Sequence, residues 1–228
     1  MGLSAGINRG RTPAALGVAA GGGNGTFNHT AQLGGLPVDV GYDYLIVAED
    51  EVGSIANARG TLTTAPLPKI TINEFLADSP DGVSDPDGEF IELVSFEPSA
   101  TVDVSGWMVD ETTASGSVKT CTLPAAMSIA PGGFLVMVPS GFDETPYGDV
   151  PDNVRATLSS WCGLNNEDIT LSLKDSTGRP IAGISTPSEP GNGKSLERIA
   201  PDAPDAAASF CPSRSDTGPT PGAENGVV

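Results

Sequence analysis

Three features are scarce in this chain of 228 residues, and each scarcity excludes a class of protein. A single histidine, His29, excludes a histidine-rich metal centre and leaves a cysteine–histidine catalytic pair only one candidate histidine. Eleven lysines and arginines stand against 29 aspartates and glutamates, and the net charge of -18 repels phosphate backbones and anionic headgroups. No apolar run approaches the ~18 residues of a membrane-spanning helix. We therefore predict neither nucleic-acid binding nor a transmembrane segment.

Cysteine is also scarce, which excludes a disulfide-dense scaffold. Cys121, Cys162 and Cys211 have none of the close spacings that are typical of zinc sites. Two interpretations remain: one disulfide with a free thiol, or three buried thiols. A single disulfide is favoured if the protein is exported, and the sequence leaves all three pairings open.

Glycine and proline are abundant, with 29 and 20 residues, and they favour short strands joined by turns. Apolar strands are predicted to begin at Ile70, at Phe90 and at Val102, and turn signals recur about every ten residues. No window has sustained helical periodicity. The sequence therefore predicts an all-β protein, and its 38% hydrophobic content is enough for a core.

The first part of the chain, residues 1–65, resembles the second half of a fibronectin type III-like sandwich. The segment YDYLIVAEDEVG is similar to the penultimate strand of that family, and Leu36 precedes Tyr42 by six positions. This spacing indicates a tyrosine corner, in which the ring packs on the core and the hydroxyl caps backbone. The family's usual threonine is Val40 here, and the first half of the module is not recognisable. We interpret residues 1–65 as a partial domain, followed by a proline-rich linker at 66–69.

The second part resembles the lamin tail domain family over residues 69–225. Eight short pieces occur in the order that is found in this family: Ile72–Phe75, Glu89–Leu93, Val102–Trp107, Ala130–Phe134, Gly163–Asn166, Lys174–Gly178, Ser195–Arg198 and Thr220–Asn225. The resemblance implies an immunoglobulin-like β-sandwich, to which we assign residues 70–226. Trp107 is the expected centre of its core.

Two charged residues in these strands allow more than one interpretation. Glu92 and Arg198 occur in otherwise apolar or alternating segments. Either both face solvent, or they pair with each other between neighbouring strands.

An acidic loop between the first two strands, DSPDGVSDPDGE, is the candidate metal site. It carries Asp78, Asp81, Asp85, Asp87 and Glu89, with no lysine or arginine among them. Carboxylates that repel one another around a glycine turn are typical of calcium ligands, so the predicted cofactor is calcium. The loop lacks the third regularly spaced ligand and the 12-residue length of an EF-hand, and a solvated surface loop is the alternative.

Catalytic motifs are not found: there is no nucleophile elbow, no zinc-protease helix and no phosphate-binding loop. We predict a non-catalytic binding or scaffold module of a larger exported or cell-surface bacterial protein, with a protein or a cell-envelope component as its partner. The alternative is an accessory domain of a secreted phosphoesterase or nuclease whose catalytic domain lies outside this chain. Carbohydrate binding is disfavoured because aromatic residues make up 5% of the chain.

Overall fold

The structure is a computed structural model that describes residues 2–8, 16–23, 26–33, 36–49, 53, 55–185, 190–214, 216 and 218–227. The chain divides into two compact units, Met1–Leu67 and Pro68–Val228. Apart from two three-residue 3₁₀ turns, the regular structure of the described residues is entirely β.

The first unit contains a three-stranded antiparallel sheet and a separate hairpin. Its strands are β1 (Gly2–Asn8), β2 (Leu16–Gly23), β3 (Thr26–Leu33), β4 (Gly41–Glu49) and β5 (Ile55–Thr63). The sheet has the order β1-β4-β5, and β2 pairs with β3. Of the predicted partial fibronectin-like domain, residues 1, 9–15, 24–25, 34–35, 50–52 and 54 lie outside the described residues.

The predicted tyrosine corner is only half formed. The Tyr42 ring is buried, as expected, but among the described residues its Oη atom has no hydrogen-bond partner. Thr64 makes the backbone contacts at this corner instead: its Oγ1 accepts from Val40 N at 3.0 Å and donates to Pro37 O at 2.7 Å. The expectation that the tyrosine hydroxyl caps backbone is therefore wrong, because a threonine that directly follows β5 occupies that role.

The second unit is a sandwich of two main sheets. Its strands are β6 (Ile70–Leu76), β7 (Phe90–Ser95), β8 (Val102–Asp103), β9 (Met108–Thr112), β10 (Val118–Thr122), β11 (Ser128–Ile129), β12 (Phe134–Pro139), β13 (Arg155–Leu158), β14 (Thr170–Lys174), β15 (Pro180–Ser185), β16 (Leu196–Arg198) and β17 (Phe210–Pro212). A six-stranded sheet has the order β13-β12-β7-β6-β16-β17, and a four-stranded sheet has the order β10-β9-β14-β15. A short pair, β11-β8, completes the unit.

The main core lies between these two sheets. The six-stranded sheet contributes residues such as Ile72 and Leu93, and the four-stranded sheet contributes residues such as Val109 and Leu171, each fully buried. Trp107 belongs to the same cluster and is 5% exposed, as expected for the centre of the sandwich. The period-two alternation of the strands sends every second side chain into this layer.

A β-bulge in β6 interrupts that alternation. Ile72 pairs with Leu93 and Glu74 pairs with Glu92, so β6 has one more residue than β7 between these pairs. The extra residue is Asn73. As a result both Ile72 and Phe75 face the core, while two consecutive polar residues between them face the other side of the sheet.

The side of the six-stranded sheet that faces away from the main core, here called the outer face, is also covered. A second apolar cluster forms there from Leu76, Phe90, Val136 and Val138, with Val150 from the following loop. Phe142 and Tyr147 of that loop pack against it. The six-stranded sheet is therefore buried on both sides. Within the described ranges, no helix is long and apolar enough to cross a membrane.

The central tryptophan provides a test of the core. We expect Trp107→Ala to lower the free energy of unfolding by about 3–5 kcal/mol, because it removes the largest side chain of the main cluster. Calorimetry of the purified chain measures this change. Val118→Ala is the control, because Val118 is 55% exposed and its truncation is expected to change stability by less than about 0.5 kcal/mol. Similar losses in both variants would contradict the assignment of Trp107 to the core.

Candidate functional site: buried carboxyl groups beneath two backbone segments

The acidic loop predicted as a metal site is closed by its own hydrogen bonds. Ser79 N donates to Asp85 Oδ1 at 3.1 Å, and Gly88 N donates to Ser79 Oγ at 3.1 Å. Asp81 Oδ1 accepts from Asn192 Nδ2 at 3.2 Å. Asp81 and Asp85 are exposed, whereas Asp78 and Asp87 are half-buried. The described contacts of these aspartates are therefore with the protein itself.

Glu89, the fifth predicted ligand, is directed away from the loop into the protein. It is 3% exposed, and its Oε2 accepts hydrogen bonds from Trp161 Nε1 at 2.6 Å and from Leu164 N at 2.8 Å. Burial raises the pKa of Glu89 to about 7, against the opposing effect of these two hydrogen bonds. Among the described residues, no group of three or more histidine, cysteine or carboxylate side chains is arranged to hold a metal ion.

The segment that Glu89 binds, residues 161–165, is anchored at several further points. Cys162 forms a disulfide with Cys121, one of the three pairings that the sequence left open, and Cys211 is a half-buried free thiol. Glu111 is fully buried and its Oε1 accepts from Asn165 N at 3.4 Å, while Lys119 Nζ donates to Gly163 O at 3.2 Å. Buried acids and one disulfide thus hold a segment that has no strand partner.

Glu92 and Arg198 are neither solvent-facing nor paired with each other, so both sequence interpretations are wrong. Glu92 is 0% exposed and Arg198 is 1% exposed. The Arg198 guanidinium lies 4.7 Å from the centroid of the Phe210 ring. Its Nε donates to Ile72 O at 2.7 Å, and its Nη2 pairs with Asp205 at 2.9 Å. The alternation of β16 directs Arg198 to the opposite side of the sheet from Glu197, so no cation from this strand reaches the outer face.

The outer face carries a row of three fully buried glutamates, here called the carboxyl row. Glu92 of β7, Glu74 of β6 and Glu197 of β16 lie at paired positions of three neighbouring strands. Each is 0% exposed. The bulge at Asn73 is what turns Glu74 to this side, and Asn73 Nδ2 itself donates to Glu92 Oε1 at 2.7 Å.

A single stretch of chain covers the carboxyl row. This stretch, Gly218–Val227, is here called the clasp segment, and it contains no strand. Thr220 N donates to Glu74 Oε1 at 3.0 Å, Gly222 N to Glu92 Oε2 at 2.5 Å, and Val227 N to Glu197 Oε2 at 3.0 Å. Each glutamate of the row therefore accepts a backbone N–H group that no β-ladder would satisfy.

Side chains complete the attachment of the clasp segment. Asn225 Nδ2 donates to Arg198 O at 2.8 Å, and Asn225 Oδ1 accepts from Asn73 Nδ2 at 2.8 Å. Thr220 Oγ1 donates to Glu74 Oε2 at 3.1 Å. Gly222 has a φ of +88°, a conformation in which any other side chain is strained. The conformation of the segment is thus fixed at both its polar and its glycine positions.

Burial shifts the pKa of every member of the row upward. The pKa of Glu74 rises to about 7 and that of Glu92 to about 8, in both cases chiefly because burial removes water from the charged form. The negative charges of neighbouring row members raise both values further. The pKa of Glu197 also lies above its usual range, again because of burial. Near neutral pH, the row therefore retains protons that exposed glutamates lose.

The sequence did contain signals for these residues. In Ile72–Phe75, two polar residues between two apolar ones break strict alternation, which is the signature of a bulge. Within Phe90–Leu93, Glu92 is the one polar residue among three apolar ones, in a strand that is buried on both sides. No local signal indicates that Thr220–Asn225 covers Glu74 and Glu92, because 130 or more residues separate the bonded groups.

Comparison with known proteins adds a family assignment. The sequence model of the Lamin Tail Domain matches residues 63–188, more than half of the chain. The match includes the first six of the eight predicted pieces, whereas Ser195–Arg198, Thr220–Asn225 and most of the predicted fibronectin-like portion lie outside it. No curated protein sequence matches the chain. A crystal structure of a DUF4876 family protein from Bacteroides thetaiotaomicron VPI-5482 is similar at 7% identity, over 99% of this chain and 91% of that chain, with a TM-score of 0.42.

The raised pKa values predict how stability depends on pH. Between an unfolded value near 4.5 and folded values of about 7 and 8, the folded state binds more protons than the unfolded state. The contribution of the row is therefore fully present below pH 4.5 and is lost as the pH rises through 7 to 8. We expect the free energy of unfolding to fall by at least about 1 kcal/mol from pH 5 to pH 8.5.

Urea denaturation at a series of pH values measures this dependence. Glu74→Gln is expected to reduce the slope, because glutamine keeps the shape of the side chain and does not ionise. Glu224→Gln is the matched control, because Glu224 is exposed, and it is expected to leave the slope unchanged. A stability that is constant or rises over this pH interval would contradict the prediction.

Proposed function

Because this chain belongs to the lamin tail domain family, we propose that its second domain, residues 70–226, is a non-catalytic binding or scaffold module. In this proposal it docks onto a protein or a cell-envelope component. The immunoglobulin-like sandwich supplies a rigid frame, and the loops at its ends supply variable surface.

One observation carries this proposal. The glutamates whose pKa values are raised to about 7 or 8, Glu74, Glu89 and Glu92, all accept hydrogen bonds from the chain's own backbone. Carboxyl groups with such shifts are where acid–base catalysis is first sought. Here the described bonds of these groups hold Thr220, Leu164 and Gly222 in place. This supports a structural role, and not a catalytic one, for Glu74, Glu89 and Glu92.

We place the parent protein outside the cytoplasm, at the surface of a bacterium or secreted from it. The Cys121–Cys162 disulfide supports this location, because such bonds persist in oxidising compartments. The acidic composition, with a net charge of -18, fits the same setting. Residues 1–65 then form a partial fibronectin type III-like domain and residues 66–69 a stiff linker, both placing the module within a larger multidomain protein.

An accessory domain of a secreted phosphoesterase or nuclease is the alternative to an independent adhesion or tethering module. In that case the fibronectin-like portion connects the module to a catalytic domain outside this chain. A phosphoesterase or nuclease domain encoded in the same reading frame favours this alternative.

Binding to the surface of the producing bacterium tests the docking role. We expect the fluorescently labelled chain to bind intact cells saturably, and unlabelled chain to displace it. Trp107→Ala, measured above its melting temperature, is the control for binding by unfolded protein. Binding that does not saturate, or that equals the unfolded control, would contradict the proposal, as would phosphodiester hydrolysis that copurifies with the chain.

Calcium stabilisation through the acidic loop is a finer part of the proposal. Asp78, Asp81, Asp85 and Asp87 supply carboxylates around the glycine turn, and Glu89 follows them. Four acidic side chains within ten residues repel one another unless water or a cation solvates them. A hard divalent cation with flexible oxygen coordination matches this ligand type.

A thermal unfolding series in EDTA, calcium and magnesium tests this part. We expect calcium to raise the melting temperature more than magnesium does, because a ligand that binds only the folded state stabilises it by about 2.7 kcal/mol at a hundredfold excess over Kd. The double variant Asp85→Asn with Asp87→Asn is expected to lose the effect, while Asp149→Asn, an exposed acid outside the loop, is expected to keep it. No shift at millimolar calcium would refute calcium binding.

A further inference from the structure

The clasp segment is attached to the outer face without any β-pairing. Three of its backbone N–H groups, those of Thr220, Gly222 and Val227, each donate to a different glutamate of the carboxyl row. Its attachment therefore depends on the state of three acids, whereas a strand of a sheet depends on fixed amides and carbonyls. Such an attachment responds to protonation in a way that strand pairing does not.

Few charges face the row from the elements around it. Arg214, which is exposed, favours the ionised form of Glu197. Glu224, on the clasp segment, is exposed to solvent. Tyr147, in the loop after β12, experiences the charge of Glu74.

Among the described residues, the other neighbours of the row supply no compensating cation. A Cβ atom at Gly222 would meet apolar atoms of Pro151 and Val154, so this side of the clasp segment adjoins apolar groups. Arg155, in the strand that follows them, is paired with Glu144 and Asp152. Arg198 is bonded on the opposite side of the sheet.

Complete ionisation of the row is therefore strongly unfavourable while it is covered. Three carboxylates on adjacent strands repel one another, and burial removes the water that would offset this repulsion; the exposed Arg214 favours the ionised form of Glu197. One oxygen of the row, Glu197 Oε1, is buried without a hydrogen-bond partner among the described residues. Displacement of the clasp segment gives all three groups access to water, whereas displacement of a strand would also expose the main core.

We propose that the clasp segment is a pH-controlled cover, which closes over the outer face while the carboxyl row holds protons and opens when all three glutamates are ionised. This inference does not depend on the proposed docking function. Opening uncovers a polar surface built from Asn73, Ser195 and the row itself, so alkaline conditions change the surface that the module presents.

Nuclear magnetic resonance of the full chain from pH 5 to pH 9.5 tests the proposal. We expect the amide signals of Thr220, Gly222 and Val227 to titrate with midpoints at neutral to alkaline pH. Their hydrogen-exchange protection factors, corrected for the intrinsic pH dependence of exchange, are expected to fall at least about tenfold from pH 6 to pH 9. For each carboxyl that holds a proton only in the closed state, the equilibrium constant for opening increases by a factor of up to about ten per pH unit. Leu93 and Leu171, in paired core strands, are the internal reference, and their protection is expected to change less.

Two variants test whether the loss of protection arises from the carboxyl row or from other ionisable groups. Glu92→Gln is expected to retain protection of the clasp segment at pH 9, because one of the three charges can no longer form. Glu224→Gln, an exposed acid of the same segment, is expected to behave as the parent chain does. If Glu92→Gln fails to fold, the amide titrations and protection factors of the parent chain still test the proposal. Titration of the three amides near pH 4–5, or unchanged protection between pH 6 and pH 9, would overturn the proposal.

Discussion

Removal of water from carboxyl groups is the constraint on which the second domain depends. Glu74, Glu92 and Glu197 occupy paired positions on three strands and have no solvent exposure. A buried carboxyl is costly unless hydrogen bonds or protons compensate for the lost water. The clasp segment supplies backbone N–H groups to all three, and burial raises the pKa of each. The carboxyl row therefore exists in its buried form only together with the clasp segment.

Buried glutamates also hold a second irregular segment of the domain. Glu89 and Glu111 accept N–H groups from residues 161–165, another stretch without a strand partner. A chain with 29 glycines and 20 prolines has many irregular segments, and their backbone groups need partners that a sheet cannot give. Buried glutamates are suited to this role, because one carboxylate accepts several donors. The strands form the frame of the domain, and buried acids attach its irregular segments to that frame.

This use of acids explains why the sequence indicates only part of the arrangement. The acidic loop stands out in the sequence because its carboxylates are close together and lack basic neighbours. Glu89, the last of its five acids, is directed into the protein, where burial raises its pKa and Trp161 and Leu164 donate hydrogen bonds to it. A single acid within a strand, such as Glu111 or Glu197, gives no local sign of whether it will face water, and the bulge signal at Ile72–Phe75 does not indicate what covers Glu74. Glu92 and Arg198 were recognised as unusual, but their actual partners come from elsewhere in the chain.

Local sequence determined the all-β class, the family and the placement of Trp107 in the core, because period-two alternation and glycine turns act over a few residues. The resemblance of its pieces to a known family also indicated an immunoglobulin-like sandwich. Only the tertiary structure decided that three glutamates form a buried row, which cysteines pair, and what covers the outer face. The physical reason is that these outcomes depend on strand register and on contacts between groups such as Glu74 and Thr220, 146 residues apart. A shift of one position in register, or the loss of the bulge at Asn73, would turn Glu74 to the opposite face without any change in the local pattern.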